Sequence, residues 1–488
     1  MTQSKTWNEG DTIIWYDLET SGINKAFDQP VQFAAIKTTT SLEVLDTFNF
    51  DIALTADVVP CPDALLVHQI PVTHRPTAIS QNIAIEKIHH IMNSPNTINC
   101  GYNNLRFDDE FLRFCFYKHL YHPYTHQYSN GCKRFDLYPA VVYYYLFAHD
   151  SLTWPAIDNR VSLKLENLAR HNLPPIEGQA HDALVDVKMT IGLAKKMMEN
   201  SDAWPTVVGF FDKNQDMHTS SQLPFLQAGR KSHCMGLLID SSFGLKQDFS
   251  SICVSLGRHQ HYKNQSVWLK LDTHPLETFE NEADFFRVIV KKKWGEPPFL
   301  LQPEHATQLS SNETKQQMLE HNMAWIDQNP DRFDRIIQSH TSSSYPTHNQ
   351  VDLDAKLYDT PFFTSLEEDI CQQFHVAPPK AKASLINQIA HPTLKEQGER
   401  YLFRYHPEVL HLIDSPSLED YRHKLLHIDS SPIKDHLGQE KRTPSACLER
   451  IEAISHERSL TDLEKKRLRE LEIYVYDHFI RPLEDNES

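Results

Sequence analysis

The sequence predicts an α/β domain with a mixed sheet covered by helices, followed by a small β-rich domain and a helical C-terminal domain. Three observations support this fold class. Strand-like and helix-like segments alternate over residues 12–200. Short apolar runs separated by Gly, Asn and His over residues 206–340 predict small strands that can close into a barrel, with helical pieces later. Residues 351–484 have largely helical patterns.

Each element of the first domain follows from its pattern of apolar residues. Apolar and β-branched runs predict strands at Thr12–Tyr16, Val31–Thr38, Leu45–Phe50 and Ile98–Tyr102. Apolar positions at helical spacing predict helices at Ile83–Met92, Asp108–Tyr117, Lys164–His171 and Ala183–Met198. Two breaks are expected between the domains, at Ser201–Pro205 and at the Ser- and Thr-rich stretch Ser339–Gln350.

The last predicted helix has the clearest pattern. Thr461 and Glu464 have the spacing of a capping box at its start. One apolar stripe predicts its buried face, formed by Leu468, Leu471, Val475 and Phe479. The basic run Lys465–Arg467 is expected to be a solvated face, with binding of a partner as the alternative.

The composition is that of a globular protein with a sizeable core. Of the 488 residues, 40% are hydrophobic and 23% are charged. The mean hydropathy is -0.50, and no apolar run approaches the ~18 residues that predict a membrane span. The N-terminal residues lack the basic and apolar regions of a secretory signal, so a cytoplasmic location is expected. Eight cysteines without a CxxC pair predict reduced thiols, not disulfides or a zinc site.

The charge balance is acidic. The net charge of -17 and the pI of about 5.9, taken alone, argue against binding of nucleic acid, because phosphate contacts depend on Lys and Arg. They do not rule it out, since a local basic groove is compatible with an acidic exterior. Catalytic carboxylates would themselves add to the negative charge.

The first chemical motif is IIWYDLETSG, Ile13–Gly22, in which an apolar strand is followed by two acids. Residues i and i+2 of a strand point to the same face, so Asp17 and Glu19 should point in one direction. Adjacent carboxylates repel unless a cation or proton lies between them, and Mg²⁺ or Mn²⁺ suits oxygen ligands. The alternative is a pair of exposed acids in a turn.

The second motif is GYNNLRFDDEFL, Gly101–Leu112, in which a short strand leads through polar residues into a helix. A third metal-side carboxylate is expected here, with Asn103 and Asn104 near a substrate. Asp108 and Asp109 cannot be separated by the local pattern. Either of them is also a favourable residue at a helix N-terminus without any further role.

The third motif is GQAHDALVDVKMT, Gly178–Thr190. His181 lies where a loop enters a helix, and a histidine near its ordinary pKa is a good general base. Asp186 follows about one and a half turns later and is a candidate fourth ligand. The alternative is a surface histidine and an ordinary helical acid.

Together the motifs have the order D-x-E on a first strand, N-x-x-F-D before a helix and H-x-x-x-x-D on a late helix. In this order they resemble the DEDD exonucleases with a histidine base, which have a ribonuclease H-like fold. Further segments resemble the bacterial exodeoxyribonuclease I family, among them YDLETSG, DQPVQFAAIKT, GYNNLRFDDEFLRFCFYKHLYHPY, KRFDLY, LKLENLARHN and AHDALVDVKMTIGLAK. The resemblance is dense over residues 12–198, thin over 206–340 and patchy beyond, where VDLDAKLYDTPFF matches best.

The resemblance implies a three-domain architecture. A DEDDh exonuclease domain with a ribonuclease H-like mixed sheet is expected at residues 12–200. An SH3-like β-barrel domain is expected at 206–340, and a helical C-terminal domain at 351–484.

The resemblance also implies a reaction, the 3′→5′ degradation of single-stranded DNA to 5′ mononucleotides in DNA repair and recombination. Asp17, Glu19 and Asp186 would hold two Mg²⁺ ions, with Mn²⁺ as a substitute, and Asp17 would bridge them. The family pattern favours Asp108 over its neighbour as the acid that assists the second ion. His181 would take the proton from the attacking water.

Substrate contacts are expected from residues close to these motifs, namely Glu19, Asn103, Arg113, Tyr124, Tyr128 and Lys164. Core packing is the alternative for the two tyrosines. Lys164 stands where the family has Arg, which implies a less geometrically fixed phosphate contact. Basic residues of the middle domain could extend a groove or simply be solvated: Arg230, Lys231, Arg258, Lys263 and Lys291–Lys293.

The expected partners are single-stranded DNA and the acidic C-terminal tail of single-stranded DNA-binding protein, bound by a monomer with no membrane contact. The rival interpretations are a ribonuclease or proofreading exonuclease of the same superfamily, and an inactive nucleic-acid-binding scaffold. A phosphatase with Asp17 as nucleophile would favour D-x-D and leave His181 and Asp108 without a role.

Overall fold

The structure is a computed structural model, and it describes residues 7–8, 10–73, 75–176, 182–200, 202–309, 313–343, 350–426 and 432–481. The chain divides into two compact units. The larger unit comprises residues 10–134, 175–191 and 347–488, and the smaller unit comprises 1–9, 135–174 and 192–346. The limits of the three predicted domains stay a prediction.

A five-stranded mixed sheet begins the fold. Its strands are β1 Thr12–Thr20, β2 Pro30–Thr39, β3 Val44–Asp51, β4 Thr97–Gly101 and β5 Lys133–Asp136, in the order β3-β2-β1-β4-β5. β1 pairs antiparallel with β2 and parallel with β4, and β2 pairs antiparallel with β3. The predicted mixed sheet with helices is therefore confirmed.

The helices before residue 200 are α1 Pro62–His68, α2 Gln81–Met92, α3 Asp108–Lys118, α4 Thr125–Tyr128, α5 Leu137–Phe147, α6 Leu165–Asn172 and α7 Ala183–Met198. In the larger unit, α2 and α3 bury apolar side chains against β1 and β2. On α2 these are Ala84, Ile85, Ile88 and Met92, the spacing that places side chains on one helix face. This core holds β1 in the centre of the sheet.

The smaller unit contains a six-stranded sheet. Its strands are β8 Phe225–Ala228, β9 Lys231–Ile239, β10 Ser250–Arg258, β11 Gln265–Lys270, β12 Ile289–Lys293 and β13 Phe299–Leu301, after the two-residue strands β6 Ala156–Ile157 and β7 Arg160–Val161. Neighbouring strands of this six-stranded sheet pair antiparallel. Their order is β12-β11-β10-β9-β13, and β8 also pairs with β9. The small strands predicted for this region are present, and the SH3-like barrel stays a prediction.

The remaining helices of the smaller unit are α8 Ala203–Gly209, α9 Lys213–Ser221, α10 Glu313–Gln328 and α11 Pro330–Thr341. Two of them overlap the predicted breaks, whose role as domain boundaries stays a prediction. α8 begins inside Ser201–Pro205, because a proline is tolerated in the first turn of a helix. α11 extends into Ser339–Gln350, of which residues 344–349 lie outside the described residues.

Helices also form the C-terminal part of the larger unit, namely α12 Ser365–Val376, α13 Pro379–Ile386, α14 Pro392–Tyr405, α15 Pro416–Leu426, α16 Pro444–Glu457 and α17 Asp462–Val475. The predicted capping box of α17 is confirmed, since the side chains of Thr461 and Glu464 each accept a hydrogen bond from the other residue's backbone N–H. Its predicted apolar stripe is buried. Lys465 and Lys466 are exposed, whereas Arg467 donates to the Gln69 carbonyl at 2.8 Å.

Two further expectations concern thiols and membranes. The eight cysteines are free in the structure. Across the described residues, no helix combines the length and the apolar character that crossing a bilayer requires.

Candidate metal centre

The first acidic pair lies within β1, not beyond its end. The sequence predicted that this strand would stop at Tyr16, but β1 continues to Thr20 because Leu18 and Glu19 still pair with Phe33 and Gln32 of β2. Sheet pairing therefore extends through Asp17 and Glu19, which share one face of the strand. A register shift in the β1–β2 pairing follows directly after Glu19.

The start of α7 is joined to this part of the sheet. Gln32, which lies opposite Glu19, accepts a hydrogen bond from the backbone N–H of Ala183 at 3.2 Å. The carboxylate of Asp182 accepts the N–H groups of Leu184 and Val185, which satisfies the free donors of the first turn. Asp186 follows in that turn.

This arrangement brings three carboxylates together. Ligand oxygens of Asp17, Glu19 and Asp186 all lie within 4.8 Å of one another. Within the described ranges, this is the one group of three or more His, Cys, Asp and Glu side chains with the geometry to hold a metal ion. An all-oxygen donor set suits Mg²⁺ or Mn²⁺.

The charges of the cluster repel one another. Burial raises the pKa of Asp17 well above its ordinary value, and the nearby carboxylates of Asp108, Glu19 and Asp186 raise it further. Burial, with Asp186 and Asp108, likewise raises the pKa of Glu19 to about 9. Asp182 adds to both shifts. A divalent cation between these oxygens would offset the repulsion, so the residues present fit such an ion.

Asp108 also belongs to this group of acids. It is the first residue of α3, and its Oδ1 accepts the N–H of Leu18 at 3.2 Å. Leu18 lies between Asp17 and Glu19 in β1, so this bond ties the start of α3 to the acidic segment of the strand.

Asp109 has different surroundings from Asp108. Its carboxylate is fully buried and contacts Arg113 at 2.5 Å, His126 at 2.7 Å and Arg134 at 3.0 Å. Burial alone would raise the pKa of Asp109, but Arg113 and Arg134 outweigh it and hold the pKa well below the ordinary range. Asp109 is therefore an internal counter-charge for the two arginines.

Two of the predicted residues near the acids can be compared with the structure. Asn103 is exposed, with a left-handed backbone at φ 63°, between β4 and α3. Its neighbour Asn104 is buried and donates from Nδ2 to the Tyr16 hydroxyl at 3.2 Å. His181 lies outside the described residues, so its role as a base stays a prediction.

The remaining predicted substrate residues lie in different environments. The Arg113 guanidinium pairs with Asp109 and lies 5.8 Å from the centre of the Tyr124 ring. Tyr124 is partly buried, whereas Tyr128 is 62% exposed. Lys164 belongs to the smaller unit, where it is exposed and directly precedes α6.

Two features were missed by the sequence analysis. Gln32, in the segment DQPVQF, is buried. Its hydrogen-bond partner, Ala183, is 151 positions away, so no local pattern reveals the contact. Phe362 is 71% exposed and stacks on His122 with ring centres 5.6 Å apart. With Tyr128, whose ring centre lies 6.3 Å from that of His122, it forms an exposed aromatic surface (His122, Tyr128 and Phe362).

Comparison with known proteins places this site in a family context. Residues 14–194 match the family model described as Exonuclease (RNase_T). Curated relatives named exodeoxyribonuclease I include those of Haemophilus influenzae, 34% identical over 203 residues, and Escherichia coli, 36% identical over 188 residues. These matches cover 41% and 38% of this chain, and they span only 42% and 39% of the relatives' own lengths. A relative of the same name from Buchnera aphidicola (subspecies Baizongia pistaciae) is 23% identical over 86% of this chain and 92% of its own length.

Solved structures extend the likeness to the whole fold. The zinc-bound complex of E. coli exonuclease I with single-stranded DNA has a TM-score of 0.80 at 22% identity, over 96% of this chain and 99% of that chain. Exonuclease I from Methylocaldum szegediense has a TM-score of 0.78 at 23% identity, with the same coverage. A structure of single-stranded DNA-binding protein and exonuclease I with an inhibitor has the same TM-score and coverage at 22% identity. The match to the Exonuclease model is thus confined to residues 14–194, and the mixed sheet has the ribonuclease H-like fold of the similar structures.

Proposed function

We propose that this chain is an exodeoxyribonuclease I, a metal-dependent 3′→5′ exonuclease that degrades single-stranded DNA to 5′ mononucleotides. One observation carries the proposal. Within an exonuclease-family domain, oxygens of Asp17, Glu19 and Asp186 lie within 4.8 Å of one another. The raised pKa values of Asp17 and Glu19 describe a site that lacks positive charge and has the donor atoms to bind it.

Two divalent ions, Mg²⁺ or Mn²⁺, would be held by Asp17, Glu19 and Asp186, with Asp108 assisting. Such ions activate water and stabilise the charge on the attacking and leaving oxygens of a phosphodiester. Zinc in the similar E. coli complex supports a divalent ion in general. The choice of Mg²⁺ rests on the hard, all-oxygen donor set.

The chain's own residues would orient the substrate and move the proton. His181, five positions before Asp186, would accept the proton of the attacking water, since an imidazole near its ordinary pKa suits this role. Asp108 holds its position through the Leu18 N–H. Glu19, Asn103, Arg113, Tyr124 and Lys164 are the other proposed substrate contacts.

The exposed aromatic surface suits a single strand. Unpaired bases can stack on Tyr128, Phe362 and His122, whereas paired bases in a duplex are already stacked on one another. Complexes of the similar E. coli enzyme with single-stranded DNA point to the same substrate. A role in DNA repair and recombination follows from this activity.

The partner and the assembly are further parts of the proposal. Exonuclease I occurs with single-stranded DNA-binding protein in one similar structure. We propose that this chain also binds that protein's acidic C-terminal tail, and that it acts as a monomer in the cytoplasm.

The test is an end-labelled digestion. Purified protein is given single-stranded DNA, duplex DNA and RNA of one sequence, with Mg²⁺ or with EDTA. The proposal expects metal-dependent release of mononucleotides from the 3′ end of single-stranded DNA alone. Equal cutting of RNA would assign another branch of the superfamily, and intact binding without cleavage would favour a nucleic-acid-binding scaffold.

A further inference from the structure

The connection from β1 to β2 begins two residues after Glu19 and is closed by internal hydrogen bonds. The Ser21 N–H donates to the Gln29 carbonyl at 2.8 Å, and the Gln29 N–H donates to the Ser21 hydroxyl oxygen at 3.1 Å. Asp28 lies at the centre of this turn, where Oδ1 accepts the Ser21 hydroxyl at 3.1 Å and Oδ2 accepts the Asn24 N–H at 3.0 Å. The turn is therefore built around one carboxylate.

The Asp28 carboxylate packs against Gly22, where the absence of a side chain makes room for it. A Cβ atom at Gly22 would lie 2.3 Å from Oδ2 of Asp28, closer than real contacts allow. Asp28 is only 3% exposed. A buried carboxylate needs a counter-charge or a full set of donors, because an isolated buried charge is costly.

The counter-charge comes from the C-terminal segment of the same unit. Arg442 donates from Nη1 to Oδ1 of Asp28 at 3.0 Å and to the Val59 carbonyl at 2.9 Å. A second contact joins the same two parts of the chain, since Asn24 donates from Nδ2 to the carboxylate of Asp435 at 2.8 Å. The turn after the metal-binding strand is thus held from more than 400 positions away in sequence.

We propose that Arg442 is a positioning residue of the metal centre, which fixes the turn after β1 through Asp28 and thereby sets the place of Glu19. The proposal rests on the proposed function, because it assumes that Glu19 binds the metal ion. Glu19 still pairs with Gln32, but the register shifts directly after it, so the turn sets where the chain leaves the sheet next to Glu19. The path of the chain after Glu19 therefore depends on the turn.

Removal of Arg442 would leave Asp28 buried beside Gly22 without its cationic partner. The turn would then have to open toward water or shift, and both changes would displace Glu19 relative to Asp17 and Asp186. Partners that orient metal ligands typically change metal affinity or activity by about 10- to 100-fold when they are lost. We expect a loss at the lower end of that range, because Arg442 acts through an intervening turn.

The first experiment measures binding of Mn²⁺ to the full chain by calorimetric titration, without DNA. Arg442→Gln should raise the Mn²⁺ dissociation constant about tenfold, while affinity for single-stranded DNA in EDTA stays the same. Arg469→Gln is the matched control, because Arg469 is an exposed arginine of the same C-terminal segment paired with Glu472. A purely structural arginine would lower the unfolding midpoint without changing the Mn²⁺ affinity of the folded fraction.

A double-mutant cycle tests whether the effect passes through Asp28. Asp28→Asn alone should weaken Mn²⁺ binding, and adding Arg442→Gln to it should cause little further loss. Arg442→Lys keeps the charge on a shorter side chain, so it should recover part of the affinity and also carries the test if Arg442→Gln fails to fold. Mn²⁺ affinity equal to that of the Arg469→Gln control in both Arg442 variants would overturn the proposal. Absence of Mn²⁺ binding in the unmodified protein would instead overturn the proposed metal centre.

Discussion

Asp108 and Asp109 are consecutive residues at the start of α3, yet their carboxylates lie in opposite electrostatic surroundings. Asp108 accepts the N–H of Leu18 and adds to the repulsion that raises the pKa values of Asp17 and Glu19. Asp109 is enclosed by Arg113, Arg134 and His126. One acid therefore concentrates negative charge at the candidate metal centre, and the other neutralises positive charge inside the unit.

Because of this difference, matched substitutions of the two acids should change different properties, stability for Asp109 and nuclease activity for Asp108. Asp109→Asn leaves two largely buried arginines without their counter-charge and should lower the free energy of unfolding by about 3 kcal/mol or more. Asp108→Asn removes a repulsive charge and should leave the free energy of unfolding within about 1 kcal/mol of the parent, while nuclease activity falls by about 10-fold or more. Urea unfolding and digestion of single-stranded DNA measure the two effects. Equal loss of stability in both variants would show that the two acids do not differ in this way.

Substitution of Asp17 should separate catalysis from folding. Asp17→Ala removes a proposed metal ligand, so hydrolysis should be lost, whereas binding of single-stranded DNA should persist. Circular dichroism provides the control for the fold. An unfolded Asp17→Ala protein would show that this carboxylate is structural.

Stability without metal should depend on pH in a defined direction. Burial and the neighbouring carboxylates raise the pKa of Glu19 in the folded protein from its ordinary value of 4.5 to about 9. The folded state therefore binds more protons between these values, and stability falls as pH rises through this window. In EDTA, Tm should decline from about pH 5 to about pH 9, and Glu19→Gln should reduce the decline.

Added metal should reverse this loss. Because the ion offsets the repulsion between ionised carboxylates, Mn²⁺ should raise Tm more at about pH 8.5 than at about pH 6. The same experiment on Glu19→Gln is the control. An equal increase of Tm at both pH values would contradict the interpretation of this cluster.

Base stacking can be tested at the exposed aromatic surface. Tyr128→Ala removes a 62% exposed ring and should weaken binding of single-stranded DNA by about 1–3 kcal/mol, with little change in stability. Tyr476→Ala, an exposed tyrosine after α17, is the control. Fluorescence anisotropy in EDTA gives the affinities, and equal values for the two variants would exclude a stacking role for Tyr128.

Local patterns were sufficient to predict much of the fold. Ala183–Met198 was predicted with the bounds that α7 has, because its apolar spacing is uninterrupted. The capping box at Thr461 was also predictable, since it depends on residues three positions apart. The end of β1 was not, because the acids at its end resemble a turn and only pairing with β2 shows that the strand continues.

Contacts between distant segments could not be predicted in this way. The local pattern left Asp108 and Asp109 indistinguishable, and only the family resemblance favoured Asp108, because the difference between them depends on Leu18 and on Arg134, which are outside α3. Gln32, Phe362 and Arg442 carry no signal of their own, since their partners are remote in sequence.

The most direct test of the account is to locate bound Mn²⁺ in crystals of the protein by anomalous scattering. We predict anomalous peaks in contact with the carboxylate oxygens of Asp17, Glu19 and Asp186, and their loss in Asp17→Ala crystals. Mn²⁺ bound only at other residues, in protein that still degrades single-stranded DNA with Mn²⁺, would contradict the assignment of this cluster as the catalytic metal centre.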